Sequence, residues 1–391
     1  ENLVVALQMN KKKSIDLLGS TGSIGIQTLS VLKERSFLSI NSLSAGKNIR
    51  LLLRQVREFN PQTICVSDKK DELLLKKNPL LRKLNIYSGQ EGLKAIGKNK
   101  RSSILVSATS GTSTLLPTID ALKLGKRVCV ASKEIFLLYG KQIMNLAKKH
   151  KGEIVPIDSE HSGLFQILRN ESIENINKVY ITASGGPFYG KKPKELKSVT
   201  PDEALKHPTW NMGKKISIDS ATMMNKAIEI IEASIIFNLP SEKIVPIINK
   251  KSHIHAIVEF VDGNVAFSGS LNDMKIPISY SLSYPSRTRI SSINPKVDRN
   301  IDLIEVNENS YKAFILARKA MRIGGSLPTV MNAANTVAVE QFLSGNIEFL
   351  DIYKIIEKTM SNHNTKKNYS LKQILHINEI AQEYAYNIIK K

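Results

Sequence analysis

Seven short strand-like runs separated by amphipathic segments fill residues 13 to 157: SIDLLGS, SINSLSAG, TICVSD, LNIYSG, SILVSAT, RVCVAS and EIVPID. Segments such as IRLLLRQVREF lie between them. A chain that alternates in this way buries its apolar faces by building a parallel sheet covered with helices. The expected fold class is therefore α/β, with a Rossmann-like parallel sheet at the N-terminal end. From 158 to 282 the texture is mixed, with loops such as TASGGPFYGKKPKE and KHPTWNMGKK beside strand-like HIHAIVEFVDGNVAFSGS. Loops of that kind carry sites. Residues 283–309 read as a linker, and 310–391 follow a helical pattern throughout. The expected division is 9–157 for a nucleotide domain, 158–282 for a central α/β catalytic domain, 283–309 for the linker and 310–391 for a C-terminal helical domain.

At 391 residues the chain exceeds one ordinary core, since domains run to about 100–200 residues. Its 42% hydrophobic and 23% charged residues are a globular composition. No apolar run reaches the roughly 18–20 residues of a membrane span. Cys65 and Cys129 both sit inside apolar strand-like runs and read as core residues of a protein in a reducing compartment. The beginning lacks a signal layout, and Met9 before NKKK reads as a natural start. A formal charge of +21 would suit nucleic acid if it were clustered, but the lysines are spread along the whole chain. The milder expectation is a field that favours anionic small molecules, with neither nucleic acid nor membrane as partner.

The first strand runs into GSTGSIG, with Gly19, Gly22 and Gly25 spaced as G-x-x-G-x-x-G before a helix. Glycine lets backbone approach a pyrophosphate whose charge faces the helix start, although a tight turn needs glycine without any ligand. The second strand ends in Ala45-Gly46-Lys47-Asn48, with a cation and no carboxylate. An NAD site would place an acid there, so the pattern favours a 2′-phosphate and hence NADPH; a solvated lysine is the plain alternative.

The stretch EIVPIDSEHSGLFQIL sets Asp158 and Glu160 two apart after a strand. They suit a helix cap and its first turn, or, with a third acid, a hard divalent cation. KISIDSATMMNKAIEIIEAS supplies that third acid: it reads as a strand over ISID, a cap-like Ser220, and a helix on which Asn225 and Glu229 share a face at i and i+4. Clustered acids without their cation repel, so neutralising one is expected to relieve strain. Ser184, Ser220, Asn225 and Lys226 are donors suited to a phosphate, or else turn and cap residues. Among the histidines of this region His207, in the loop HPTWNMG, has the context of a site residue. Trp210, the single tryptophan, sits in the same loop between Pro208 and Gly213. That arrangement suits a water-excluding lid, or a loop pinned by one aromatic.

In ordered motifs the chain closely resembles the 1-deoxy-D-xylulose 5-phosphate reductoisomerase family. The likeness runs from GSTGSIG through AGKN, SKE at 132–134, DSEHS, SGGPF, HPTWNMG, DSATMMNKAIE and NDMKIP to GGSLPTVMNAANT at 324–336. The resemblance implies a divalent cation (Mg2+, Mn2+ or Co2+) on Asp158, Glu160 and Glu229. It implies the substrate phosphate on Ser184, Ser220, Asn225 and Lys226, helped by His207, with Lys133 and Ser159 on the sugar hydroxyls. Thr21, Gly22, Ser23, Ile24, Gly46, Lys47, Asn48, Ser132, Glu134 and Gly213 would line NADPH, and Trp210 would close the lid. The implied activity converts 1-deoxy-D-xylulose 5-phosphate into 2-C-methyl-D-erythritol 4-phosphate in non-mevalonate isoprenoid synthesis, usually as a homodimer. The implied place is the bacterial cytoplasm, or a plastid-type organelle after loss of a transit peptide. Three places depart from the common pattern: Ser132, Asn249 to Ser252, and Leu271-Asn272. Another NADPH-dependent sugar-phosphate reductase, or a silent NADPH-binding regulator, is the alternative. The acid trio argues against the regulator.

Overall fold

In the computed structural model the described residues are 13–210, 212–294 and 301–390. The expected start at Met9 lies outside them. Among the described residues two compact units form, one from 13–135, 141–162 and 273–294, the other from 136–140, 163–272 and 301–390.

The first unit holds seven strands, β1 (Lys13–Leu18), β2 (Leu38–Ser44), β3 (Thr63–Val66), β4 (Asn85–Ser88), β5 (Ile104–Ser107), β6 (Arg127–Val130) and β7 (Glu153–Pro156). They pair in the order β4-β3-β2-β1-β5-β6-β7, and every pairing is parallel. Each expected strand is present, because helices cover both faces and the runs are apolar almost without a break. Ile15, Leu17, Leu43, Ile64, Val106 and Cys129 are all fully buried in the core. Cys65 and Cys129 are free and buried.

Asp16 is the polar exception on β1, also fully buried. Its carboxylate accepts from Asn41 Nδ2 at 3.1 Å and faces Lys126 Nζ at 3.2 Å, while Ser102 donates to it as well. Burial pulls the Lys126 ammonium below the usual lysine range. This satisfied cluster ties the middle of β1 to the residues just before β5 and β6, and leaves the C-terminal edge of the sheet to the loops. The chain returns to this unit at the helix Lys275–Ser283, whose Ile278 and Leu282 enter the same core. Arg35 fastens it through Ser279 Oγ at 3.1 Å and the carbonyl of Arg289 at 2.8 Å.

The second unit is built on β8 (Ile176–Ala183), β9 (Ile244–Ile248), β10 (Ile254–Phe260), β11 (Val265–Gly269) and β12 (Ile304–Glu305), in the order β11-β10-β8-β9-β12. Only β8 and β9 run parallel. One core joins Val179 and Ile244 of this sheet to Ile228 and Ile231 of the helix Met224–Ile236 and to Phe314, Phe342 and Ile356 of the C-terminal helices. Those helices span Lys312–Ile323, Leu327–Leu343, Asp351–Asn362 and Leu371–Ile389. Among the described residues no helix is long and apolar enough to cross a membrane.

The expected strand over ISID is not formed. Residues 216–219 lie inside a helix, Lys214–Ala221, with Gly213 at its N-cap. Ser217, Ile218 and Asp219 are buried in succession, which a half-buried strand with alternating faces does not allow. Ser220 is accordingly near the end of that helix and does not cap the next one.

Candidate active site

β1 ends at Leu18 and the chain turns through Gly19, whose φ of 84° is left-handed. A β-carbon there would stand 2.7 Å from the carbonyl oxygen of Ala108. At Gly25 it would stand 2.1 Å from the carbonyl oxygen of Gly19, so the first turn of the helix Ser23–Lys33 packs on the glycine turn itself. Gly22 is that helix's N-cap and provides no side-chain acceptor. Thr21, Ser23 and Ile24 surround it, and the first-turn N–H groups are of the kind that hold a phosphate.

Ser44, at the end of β2, ties the two loops together. Its Oγ accepts the Gly19 N–H at 3.0 Å and its carbonyl the Ser20 N–H at 2.7 Å. A β-carbon on Gly46 would touch nothing within 4 Å. Lys47 is exposed, and Asn48 Oδ1 caps the helix Ile49–Phe59 through the Leu51 N–H at 3.1 Å. The strand order reverses between β1 and β5, which is where open α/β sheets bind ligands. The loop after β5, Ala108 to Ser113, borders that crevice and was missed from the sequence. Its run of small polar residues was visible, but its meaning depends on the strand order.

Ser132 follows β6 and is buried, accepting from Ser107 Oγ at 3.0 Å and donating to the carbonyl of Thr109. It fastens two loops at the sheet's C-terminal edge. Glu134 starts the helix Glu134–His150. Between them Lys133, almost fully buried, places its ammonium on the carboxylate of Asp158. Asp158 directly precedes the helix Ser159–Ile167. Ser159 Oγ donates to Glu160 Oε2 at 2.5 Å. The fully buried His161 has Nδ1 4.0 Å from Asp158 Oδ1. Asp158 therefore occupies a capping position and also meets a buried cation, which a cap does not require.

In the second unit the helix Met224–Ile236 carries Asn225, Lys226 and Glu229 within little more than one turn. Asn225 Nδ2 donates to Glu229 Oε1 at 2.5 Å, and Lys226 Nζ contacts the other carboxylate oxygen. Lys226 and Glu229 are almost fully buried. A β-carbon on Gly186 would meet the carbonyl oxygen of Ser220 at 2.7 Å, so the SGG loop carrying Ser184 packs onto Ser220.

His207 organises this end. Its Nδ1 accepts the N–H groups of Thr209 at 3.2 Å and Trp210 at 3.0 Å. The imidazole proton is then on Nε2, which donates to Ser184 Oγ at 3.1 Å. Ser184 Oγ also accepts the Gly186 N–H at 3.1 Å. With both lone pairs engaged, the Ser184 hydroxyl proton is aimed elsewhere, as a donor for an anionic oxygen. Burial pulls the His207 pKa down to about 4 and keeps the ring neutral. Gly213 ends the loop as an N-cap; Asn211 lies outside the described residues.

Three family models match in chain order: 1-deoxy-D-xylulose 5-phosphate reductoisomerase over 15–140, 1-deoxy-D-xylulose 5-phosphate reductoisomerase C-terminal domain over 154–237, and DXP reductoisomerase C-terminal domain over 270–384. The 1-deoxy-D-xylulose 5-phosphate reductoisomerase of Thermoanaerobacter sp. (strain X514) is 41% identical over 375 residues, covering 95% of this chain and 98% of that one. The chain belongs to the 1-deoxy-D-xylulose 5-phosphate reductoisomerase family. The reductoisomerase of Thermodesulfovibrio yellowstonii is 42% identical over 380 residues, with 95% and 98% covered. A crystal structure of DOX-P reductoisomerase in complex with NADPH, fosmidomycin and magnesium superposes with a TM-score of 0.89 at 33% identity, covering 97% of this chain and 98% of that one. The Zymomonas mobilis reductoisomerase in complex with NADPH has the same TM-score at 32% identity, covering 97% and 99%.

Proposed function

We infer that the chain converts 1-deoxy-D-xylulose 5-phosphate into 2-C-methyl-D-erythritol 4-phosphate, using NADPH and a divalent cation. The observation that carries this reading is the sheet's C-terminal edge. The glycine turn after β1 and the lysine-backed acid after β7 open on that same edge.

The residues suit both groups. The space beside Gly46 is open, and Lys47 brings positive charge where an NAD site would have an acid. Asp158, Glu160 and Glu229 carry the hard carboxylate oxygens that the resemblance assigns to the cation. When bound, the cation supplies Lewis-acid charge to the substrate's oxygens and NADPH supplies a hydride.

The protein's own part is binding and orientation. Ser184 donates to the phosphate, with Ser220, Asn225 and Lys226 around it and His207 holding Ser184 in place. Lys133 and Ser159 hold the sugar hydroxyls. Trp210, on the loop hung from His207, covers the site and keeps water out. Thr21, Gly22, Ser23, Ile24, Gly46, Lys47, Asn48, Ser132, Glu134 and Gly213 line the NADPH side, with Ser132 and Asn48 acting through the loop shapes they fix. The functional parts are residues 9–157 for NADPH, 158–282 for metal and substrate, and 310–391 as helical support, with 283–309 between. A homodimer is the working assembly, and the free buried cysteines suit a cytoplasmic setting.

The test follows NADPH absorbance with 1-deoxy-D-xylulose 5-phosphate as sole substrate. Oxidation that stops on chelation and returns with Mg2+ or Mn2+ is the expected result. Oxidation indifferent to chelation would remove the metal from this reading.

A further inference from the structure

The helices Lys214–Ala221 and Met224–Ile236 meet at a sharp bend, and the groups assigned to the phosphate flank it: Ser220 before, Asn225 and Lys226 after. At the bend Thr222 is followed by Met223 with φ 58° and ψ 7°. A left-handed conformation is unfavourable for a residue with a β-carbon and persists where the surroundings enforce it. Met223 is almost fully buried. Its N–H donates to the carbonyl of Ser220 at 3.0 Å and its carbonyl accepts the Ala227 N–H at 3.1 Å, so the bend is continuous with both helices.

Two side chains from far along the chain hold it. Asn335 Nδ2 donates to Asp219 Oδ1 at 2.8 Å from 116 positions away, and Tyr353 Oη donates to the carbonyl of Thr222 at 3.0 Å from 131 positions away. Asp219 is almost fully buried and Asn335 fully so. The second oxygen of Asp219 takes Lys215 Nζ at 2.6 Å. Burial pushes the Tyr353 hydroxyl well above the usual tyrosine range, so it keeps its proton and remains a donor. Thr222 completes the clasp by donating its hydroxyl back to the carbonyls of Ile218 at 3.0 Å and Asp219 at 3.1 Å.

We propose that Asn335 and Tyr353, acting through Asp219 and the Thr222 carbonyl, are positioning residues for the phosphate end of the site. The C-terminal helices set the angle of the bend, and the bend sets the spacing of Ser220 from Asn225 and Lys226. Gly186 transmits the setting to Ser184, because its loop rests on the Ser220 carbonyl. Neither positioning residue is assigned a contact with substrate. The proposal rests on the phosphate assignment above and adds what holds those groups in register.

The test compares wild type with Tyr353→Phe, which deletes one hydroxyl, and Asn335→Ala. Two readouts are taken: KM for each substrate, and the rise in melting temperature produced by inorganic phosphate. Each variant is expected to raise KM for 1-deoxy-D-xylulose 5-phosphate by roughly three- to tenfold, the loss of about one hydrogen bond, and to leave KM for NADPH unchanged. Phosphate should protect the variants less than wild type. A purely structural role predicts the opposite split, a lower melting temperature with unchanged KM and unchanged phosphate protection, and that result would overturn the proposal. If Asn335→Ala does not fold, Tyr353→Phe decides alone. A wild type that fails to turn over the substrate would refute the assigned reaction, while phosphate protection would still decide the role of the bend.

Discussion

The Nδ1 of His207 accepts the backbone N–H of Trp210 at 3.0 Å. The loop carrying Trp210 is thereby fixed to the ring whose other nitrogen orients Ser184, and a proton on Nδ1 would cancel the acceptor. The folded protein takes up that proton at about pH 4, against 6.5 for an ordinary imidazole. Between those values the unfolded chain binds a proton that the folded chain does not. Stability therefore falls as pH drops from about 6.5 to about 4, and this residue contributes no pH dependence above that window. Urea midpoints across pH 4–8 should show the decline in wild type and a smaller one in His207→Leu.

As the single tryptophan, Trp210 reports on its loop without labelling. Saturation with a phosphonate analogue of the substrate should shift its emission to the blue as the ring leaves water. Trp210→Ala should weaken that analogue by roughly tenfold and leave NADPH affinity nearly as it was. An emission spectrum unchanged at saturation would show that the ring does not move.

Lys47 stands exposed in the loop after β2 with no carboxylate beside it in Ala45-Gly46-Lys47-Asn48. Lys47→Glu replaces attraction for a 2′-phosphate with repulsion. Its Kd for NADPH should rise by about tenfold or more, while the Kd for NADH changes little. Equal weakening of both cofactors, read by fluorescence titration, would place the 2′-phosphate elsewhere.

For the acids, the expectation that neutralising one relieves repulsion is reversed by the structure. Lys226 lies on Glu229 and Lys133 on Asp158, so each of these two carboxylates has a buried cation against it. Glu229→Gln takes negative charge from an ammonium that is almost fully buried, and should destabilise the protein by on the order of 1–3 kcal/mol. The variant should bind NADPH normally and lose nearly all metal-dependent turnover at any practical Mg2+ concentration. Asp158→Asn separates the two roles of that residue, since asparagine caps a helix as well as aspartate does. Near-normal turnover in Asp158→Asn would leave capping as its function.

A methyl group at Gly25 would collide with the Gly19 carbonyl at 2.1 Å. Gly25→Ala should therefore cost on the order of 2–4 kcal/mol and distort the turn assigned to NADPH. Thermal melting and NADPH titration would both register it. Gly46→Ala meets nothing within 4 Å and should fold normally.

The seven strands were legible because each is a compact apolar run between turn residues, the form that a sheet buried on both faces imposes. ISID was misread because four residues of alternating character do not distinguish a strand from one helical turn. Burial decided it, and part of that burial comes from Asn335, whose approach to Asp219 nothing local announces. The acids, the glycine turn and the HPTWNMG loop could be picked out by residue chemistry and spacing. The jobs of Ser132 and Asn48 could not, because both spend their side chains on loop geometry that exists only after folding.

The strand order has a further consequence for the distance between two points on the C-terminal edge of the first unit's sheet. From the glycine turn after β1 to Asp158 after β7 the sheet passes through β5 and β6, three steps of backbone pairing. At about 4.8 Å per step that is roughly 14 Å. The interval works as a ruler whose graduations are main-chain hydrogen bonds, so no side-chain substitution can lengthen or shorten it. Loops can retune which molecules bind at either mark, whereas the gap between the marks changes only if a strand is inserted or lost.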